Sequence, residues 1–257
     1  MTPTLTASER TVHVEQCMGT VFTIDVRGPG SWREAIRAAV DRLHRVDALF
    51  STYRADSDIS RLQRHELVLA EADPEVRAML ALCAELHAET AGHFTALLAG
   101  RIDPTGVVKG WAIEMASRVL RAHGSKDHAV NGGGDVQLAG EPEKGQPWHV
   151  GVVDPHDRAQ VLAVVAGRDL AVATSGVAER GAHIIDPFTG APASDLASVT
   201  VVGPDLTRTD AYATAAFTMG THAVAWLDGQ SGYEGLVVRP DGQVQATRGL
   251  SRLLARS

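Results

Sequence analysis

Apolar and polar residues alternate from Thr20 to Arg27, the pattern of a half-buried strand, and stop at Gly28-Pro29-Gly30. The period then lengthens. Trp32, Ile36, Ala39, Val40, Leu43, Val46 and Phe50 recur at helical spacing, and Ser31 and Glu34 stand where a capping box would start that helix. A polar loop over residues 51–58 leads to Ile59 and Leu62. Asp73-Pro74 opens a second helix, with Val76, Leu80, Cys83 and Leu86 inward and Gly92 at its end. A third helix is expected from about residue 109 to 122, stopped by Gly124.

A β-rich run follows, with strands near 129–131, 136–138, 149–153, 161–166, 170–174, 183–186 and 198–203. A helix pair over about 210–227, broken at Gly220, precedes a last hairpin, 235–239 with 243–247, turning on Asp241-Gly242. Helices and strands come in clusters rather than in alternation. The expected class is therefore α+β, one compact domain over residues 1–257 with an antiparallel sheet flanked by helices. A loose Asp-Pro-x-Thr-Gly motif recurs at 103–106 and 186–190, a hint of an old internal duplication.

Composition narrows the function classes. At 257 residues, 44% of them hydrophobic, the chain has the make-up of an ordinary globular protein. Its net charge of −7 argues against a general nucleic-acid footprint, although amides and metal ions can still hold a phosphate locally. Cys17 and Cys83 offer neither a disulfide framework nor metal-ligand spacing, and Cys83 falls in an apolar helical pattern. No apolar run approaches 18 residues, so no membrane span or anchor is expected. The first 17 residues lack the apolar core of a signal peptide, and a cytoplasmic location is expected.

Four segments carry candidate chemistry. Residues 173–190 pack Thr174, Ser175, Glu179, Arg180, His183 and Asp186 between glycines and a proline, more polar groups than a plain structural segment needs. His183 sits on an otherwise apolar short strand, where a hydrogen-bonded core histidine competes with a catalytic one. Asn131-Gly132-Gly133-Gly134-Asp135 permits close backbone approach to a ligand, or simply a tight hairpin turn. Asp103 to Lys109 leads into a helix whose free amides suit a phosphate, or is a plain helix start. Asp210 and Thr214, four apart on one helix face, form a hard-oxygen pair of the kind Mg²⁺ takes, unless Asp210 or Thr209 merely caps the helix.

Taken together the chain resembles the ApbE family of FAD:protein FMN transferases. The resemblance rests on Met18-Gly19-Thr20, Ser51-x-Tyr53 with residues 56–60, Gly92-His93-Phe94, and Asp103-x-x-Gly106-x-x-Lys109-Gly110. It continues through Asn131-x-Gly133-Gly134-Asp135, Trp148-x-Val150-Gly151 with Asp154-Pro155, residues 173–176, His183-Ile184-Ile185-Asp186-Pro187-x-Thr189-Gly190 and Asp210-Ala211-x-Ala213-Thr214. The matching pieces run in family order over about residues 17–220.

The resemblance implies the family's α+β fold and a Mg²⁺-dependent transfer of FMN from FAD to a threonine or serine of a target protein, with release of AMP. Carried over by position, Met18, Tyr53, His93, Phe94, Thr95, Asp103, Lys109, Ser175 and Ile185 would contact FAD. Asp210, Thr214 and the Gly106 carbonyl would hold Mg²⁺, and His183 would accept the proton of the attacking hydroxyl. An FAD pyrophosphatase and a non-catalytic flavin carrier are the alternatives. This chain departs from the family at Thr95, where an Asp is usual, and at Ala213, where some relatives carry a second Asp. It also shortens the connection over residues 96–102.

Overall fold

The computed structural model describes residues 9–98, 100–177 and 184–255. Its centre is a sheet in the order β1-β2-β5-β6-β9-β10-β11-β12, every neighbouring pair antiparallel. These strands are β1 (Arg10–Cys17), β2 (Thr20–Arg27), β5 (Asp127–Gly132), β6 (Asp135–Ala139), β9 (Ala171–Gly176), β10 (Ser198–Gly203), β11 (Glu234–Val238) and β12 (Val244–Ala246). The α+β class expected from the sequence is the one observed.

One face of the sheet carries the helices α1 (Arg33–Phe50), α3 (Pro74–Glu89), α4 (Thr105–Ala122) and α5 (Leu206–Met219), with short α2 (Asp58–Gln63) and α6 (Ala223–Leu227). Phe22, Ile24, Val130, Ala173, Val199 and Val201 point into that side and meet Leu43, Ile113 and Phe217 from the helices. The residues between them point the other way. Val136, Leu138, Val172, Val202 and Leu236 form a second core under a hairpin of β7 (Trp148–Val153) and β8 (Val161–Gly167). The period-two alternation of the strands thus feeds two apolar layers, one on each face. A small ribbon, β3 (Leu97–Leu98) and β4 (Arg101–Ile102), stands before α4.

Strand β1 was not expected. Its valines, Val12 and Val14, face solvent, so its alternation gives no inward apolar stripe. It is held instead by pairing to β2 through a two-residue turn in which Met18 (φ 52°) and Gly19 (φ 70°) are both left-handed.

Three helix starts differ from expectation. No side chain caps α1; the Trp32 indole donates to the Gly28 carbonyl (3.2 Å) and fixes the preceding turn, so the Ser31–Glu34 capping box does not form. Helix α4 begins at Thr105, four residues earlier than expected, where Asp103 Oδ1 accepts from the Thr105 amide (3.1 Å) and hydroxyl (2.6 Å). Helix α5 begins at Leu206, not near 210. Asp205 caps it from the Arg208 amide (2.9 Å), while Gln137 Oε1 and Glu114 Oε2 accept from the Leu206 and Thr207 amides (2.9 and 3.1 Å). Distant residues fill the acceptor positions of that helix end, which no local signal announces. On α3, Met79 takes the fully inward position given to Leu80, which is only half-buried.

The two Asp-Pro motifs share a local device and then diverge. Asp186 accepts from the Phe188 amide (2.8 Å) and the Thr189 hydroxyl (3.0 Å), as Asp103 does from Thr105, but the first leads to a turn and the second to a helix.

Candidate functional site

A cavity of about 500 Å³ opens at one end of the sheet, between the helical layer and the β7–β8 hairpin. Such a volume suits a small-molecule or nucleotide ligand. Its walls draw on several elements. Helix α4 supplies Thr105, Gly106 and Lys109, and α5 supplies Asp210, Thr214 and Thr218. The β5–β6 turn gives Gly133 and Gly134, and the end of β9 gives Thr174, Ser175 and Gly176. The hairpin reaches over with Asp154, Pro155 and Arg158.

Helices α4 and α5 cross at Gly110. A Cβ there would stand 2.6 Å from the Leu206 carbonyl oxygen and 2.7 Å from Asp210 Cβ, so only glycine permits the crossing. The approach lets the Gly110 amide donate to Asp210 Oδ2 at 2.9 Å. In a regular helix that amide would pair with the Gly106 carbonyl, so the carboxylate competes with that carbonyl for it. Asp210 is 5% exposed and lies in the second turn of α5, which disposes of the capping alternative.

One turn along, Thr214 Oγ1 stands 3.5 Å from the Gly106 carbonyl oxygen and 3.4 Å from Ser175 Oγ. A carboxylate, a hydroxyl and a carbonyl thus meet at one cavity wall, a donor set of hard oxygens that fits Mg²⁺. Among the described residues no cluster of three or more His, Cys, Asp or Glu is placed to share a metal ion, so a metal here would rest on these mixed donors.

Another turn along, Thr218 fixes His93. The Thr218 hydroxyl has one proton and two carbonyl acceptors, Ala215 O at 2.9 Å and His93 O at 3.0 Å. Its oxygen therefore accepts from His93 Nδ1–H (3.3 Å), which leaves the lone pair on Nε2. Burial lowers the His93 pKa, partly opposed by the nearby Asp186 charge, so the ring is neutral at pH 7. Phe188 packs edge-on against it, ring centroids 4.9 Å apart.

Lys109 forms an ion pair with Asp135, the first residue of β6, whose carboxylate is 1% exposed. The sequence offered Asp135 only as part of a glycine-rich turn motif, and gave it no role. Arg158 was missed too; nothing in its local sequence sets it apart from other hairpin-turn arginines.

The cavity gathers His93, Phe94, Thr95, Asp103, Gly106, Lys109, Ser175, Ile185, Asp210 and Thr214, all expected at a site. Two expected FAD contacts are not among its lining residues. Tyr53 is 97% exposed on the α1–α2 loop, where its amide donates to the Ser51 hydroxyl oxygen (3.3 Å). Met18 packs half-buried against the helical core from the β1–β2 turn. His183 lies outside the described residues, as do Glu179 and Arg180; of the expected strand at 183–186, Ile185 makes a single bridge to Pro192.

This fold, an antiparallel sheet between helices and a hairpin, is shared with solved structures. The ApbE protein from Thermotoga maritima superposes with a TM-score of 0.87 at 24% identity, covering 96% of this chain and all of that one. The ApbE family model matches residues 18–100 and 96–237, and the chain belongs to the ApbE family. A protein named FAD:protein FMN transferase from Treponema pallidum is 35% identical over 169 residues, 58% of this chain. The match spans 47%, about half, of that relative's length. One of the same name from Vibrio cholerae is 26% identical over 265 residues, 79% of each chain.

Proposed function

We propose that this protein is a Mg²⁺-dependent FAD:protein FMN transferase, which moves FMN from FAD to a threonine or serine hydroxyl of a target protein and releases AMP. The observation that carries the reading is the meeting of Asp210, Thr214, the Gly106 carbonyl and Lys109 on one cavity. The names of the relatives agree with it.

In this reaction the acceptor oxygen bonds to the FMN phosphorus, the bond from that phosphorus to the bridging oxygen breaks, and AMP departs with that oxygen. Such a transfer depends on positioning and on neutralising phosphate charge rather than on covalent help. Asp210, Thr214 and the Gly106 carbonyl would hold Mg²⁺, which when bound supplies that neutralisation. Lys109 adds a cation on the same side, and Gly133 and Gly134 let the backbone approach the nucleotide closely. His93, Phe94, Thr95, Asp103, Ser175 and Ile185 are the remaining FAD contacts of this reading. His183 receives the acceptor proton; it directly precedes Ile184 and Ile185, which line the cavity.

A cytoplasmic location is part of the same proposal. Burial raises the thiol pKa of Cys17 to about 11 and of Cys83 to about 12, so both stay as unreactive thiols. Among the described residues no helix is long and apolar enough to cross a membrane.

The test is to incubate the protein with FAD, Mg²⁺ and a candidate acceptor protein, following acceptor mass and AMP. A covalent FMN increment on the acceptor is expected. AMP with free FMN and no increment would identify a pyrophosphatase, and binding without either product a carrier; both would overturn the proposal.

A further inference from the structure

Strands β6 and β9 pair through Val136 with Val172 and Gln137 with Ala171, and the Leu138 amide donates to the Leu170 carbonyl at the far end (2.8 Å). The pairing stops where the cavity floor begins, with Gly133 and Gly134 on one side and Thr174 and Ser175 on the other. The Thr174 amide, on the β6 side of its strand, therefore needs an acceptor that the β6 backbone does not supply. Asp135 Oδ1 takes it at 2.9 Å. The second carboxylate oxygen pairs with Lys109 of α4. One side chain thus ties the sheet floor, and with it Ser175, to the cavity's lysine.

The charge is what calls for explanation. Satisfying one amide needs only a neutral acceptor such as an asparagine carbonyl, and burying a carboxylate costs free energy unless a cation compensates it. At 1% exposure Asp135 has no solvent to compensate it. Its charge has a purpose in its hold on Lys109, whose ammonium is a compact point charge on a flexible four-carbon stem.

We propose that Asp135 is a positioning residue, which pins the Lys109 ammonium where the ligand's phosphates meet it. The inference rests on the transferase reading above. Without Asp135 the lysine still attracts phosphate, so ground-state binding survives. What is lost is a cation already in place as charge shifts in the transition state.

Asp135→Asn keeps the volume and an acceptor for Thr174. Expected is a 10–100-fold fall in kcat for AMP release, with the FAD dissociation constant changed less than about threefold. In a Lys109→Met background the same substitution has no further effect on kcat. An equal loss in both backgrounds would show that Asp135 serves the fold alone, and would overturn the proposal, as would a loss that tracks thermal stability. Asp135→Glu, which keeps the charge, retains more activity than Asp135→Asn; equal loss in the two would also overturn it.

A readout independent of turnover comes from the sequence. The chain has three lysines, Lys109, Lys126 and Lys144, and the last two are exposed. After ¹³C-methylation, the Lys109 resonance stands apart from the other two in the natural protein and collapses toward them in Asp135→Asn. Collapse with no AMP release from the natural protein would sink the transferase reading and leave the tether standing. No collapse would refute the tether whatever the activity.

Discussion

Protonating one buried histidine should cost this fold stability in acid. His128 lies on β5 against α4, fully buried, with Ser117 Oγ 2.8 Å from Nε2 and Ser125 Oγ 2.9 Å from Nδ1. A neutral ring donates through one nitrogen and accepts at the other, and both hydroxyls can turn to match. A protonated ring would have to be charged in the interior. Burial, reinforced by the Arg121 charge, lowers the pKa from 6.5 to about 4. The folded protein thus refuses a proton that the unfolded chain accepts below about pH 6.5. The stabilisation is whole above that pH and is lost as the pH falls toward 4. At about 1.4 kcal/mol per pH unit, the gap is worth about 3 kcal/mol, a large share of a typical folding free energy. Urea unfolding between pH 7.5 and 4 measures it, with His128→Gln as the reference. Carboxylates other than Asp169, whose charge acts on His128, titrate alike in both proteins, so the difference in their unfolding free energies reports His128 and that one neighbour. That difference should be flat above pH 7 and change by about 3 kcal/mol by pH 4. Parallel curves over the whole range would refute the assignment.

The site makes further predictions. Asp210→Ala should abolish AMP release and Mg²⁺ binding seen by calorimetry; normal FAD turnover would dismiss Asp210 as a ligand. Gly110→Ala should cost about 1–3 kcal/mol in urea unfolding by forcing α4 from α5, and unchanged stability would mean that the helices slide freely. Gln137→Leu leaves the Leu206 amide unsatisfied in the interior and should cost about 1–3 kcal/mol by the same measurement. Thr218→Val removes the partner that fixes His93, and should weaken FAD binding by about 1 kcal/mol, roughly fivefold by fluorescence titration.

What the sequence revealed follows from the range of the forces involved. The face of α1 was legible because Ile36, Ala39, Leu43, Val46 and Phe50 repeat a period that only a helix satisfies, and all are buried. The start of α3 was legible from Asp73-Pro74, whose carboxylate caps the Glu75 amide locally. The start of α5 was not, because its acceptors on Gln137 and Glu114 lie far away in the chain. The same limit governed the site. Motif order named most of the cavity's side chains, yet Asp135 gains its role only when Lys109 and Thr174 arrive from two other elements. Tyr53 shows the converse, since a motif position alone does not bring a side chain to the cavity.

The helix crossing at Gly110 bears on how the protein acquires its site during folding. The contacts that define the cavity join residues 100 apart (Gly110 and Asp210), 108 apart (Gly106 and Thr214) and 125 apart (His93 and Thr218). Helices α1 and α3 are local and can form early, whereas these contacts require most of the chain to be closed into loops first. Ligand binding should therefore return after helical signal in a refolding experiment. A nascent chain released before about residue 218 would carry much of the fold without the wall that completes the cavity.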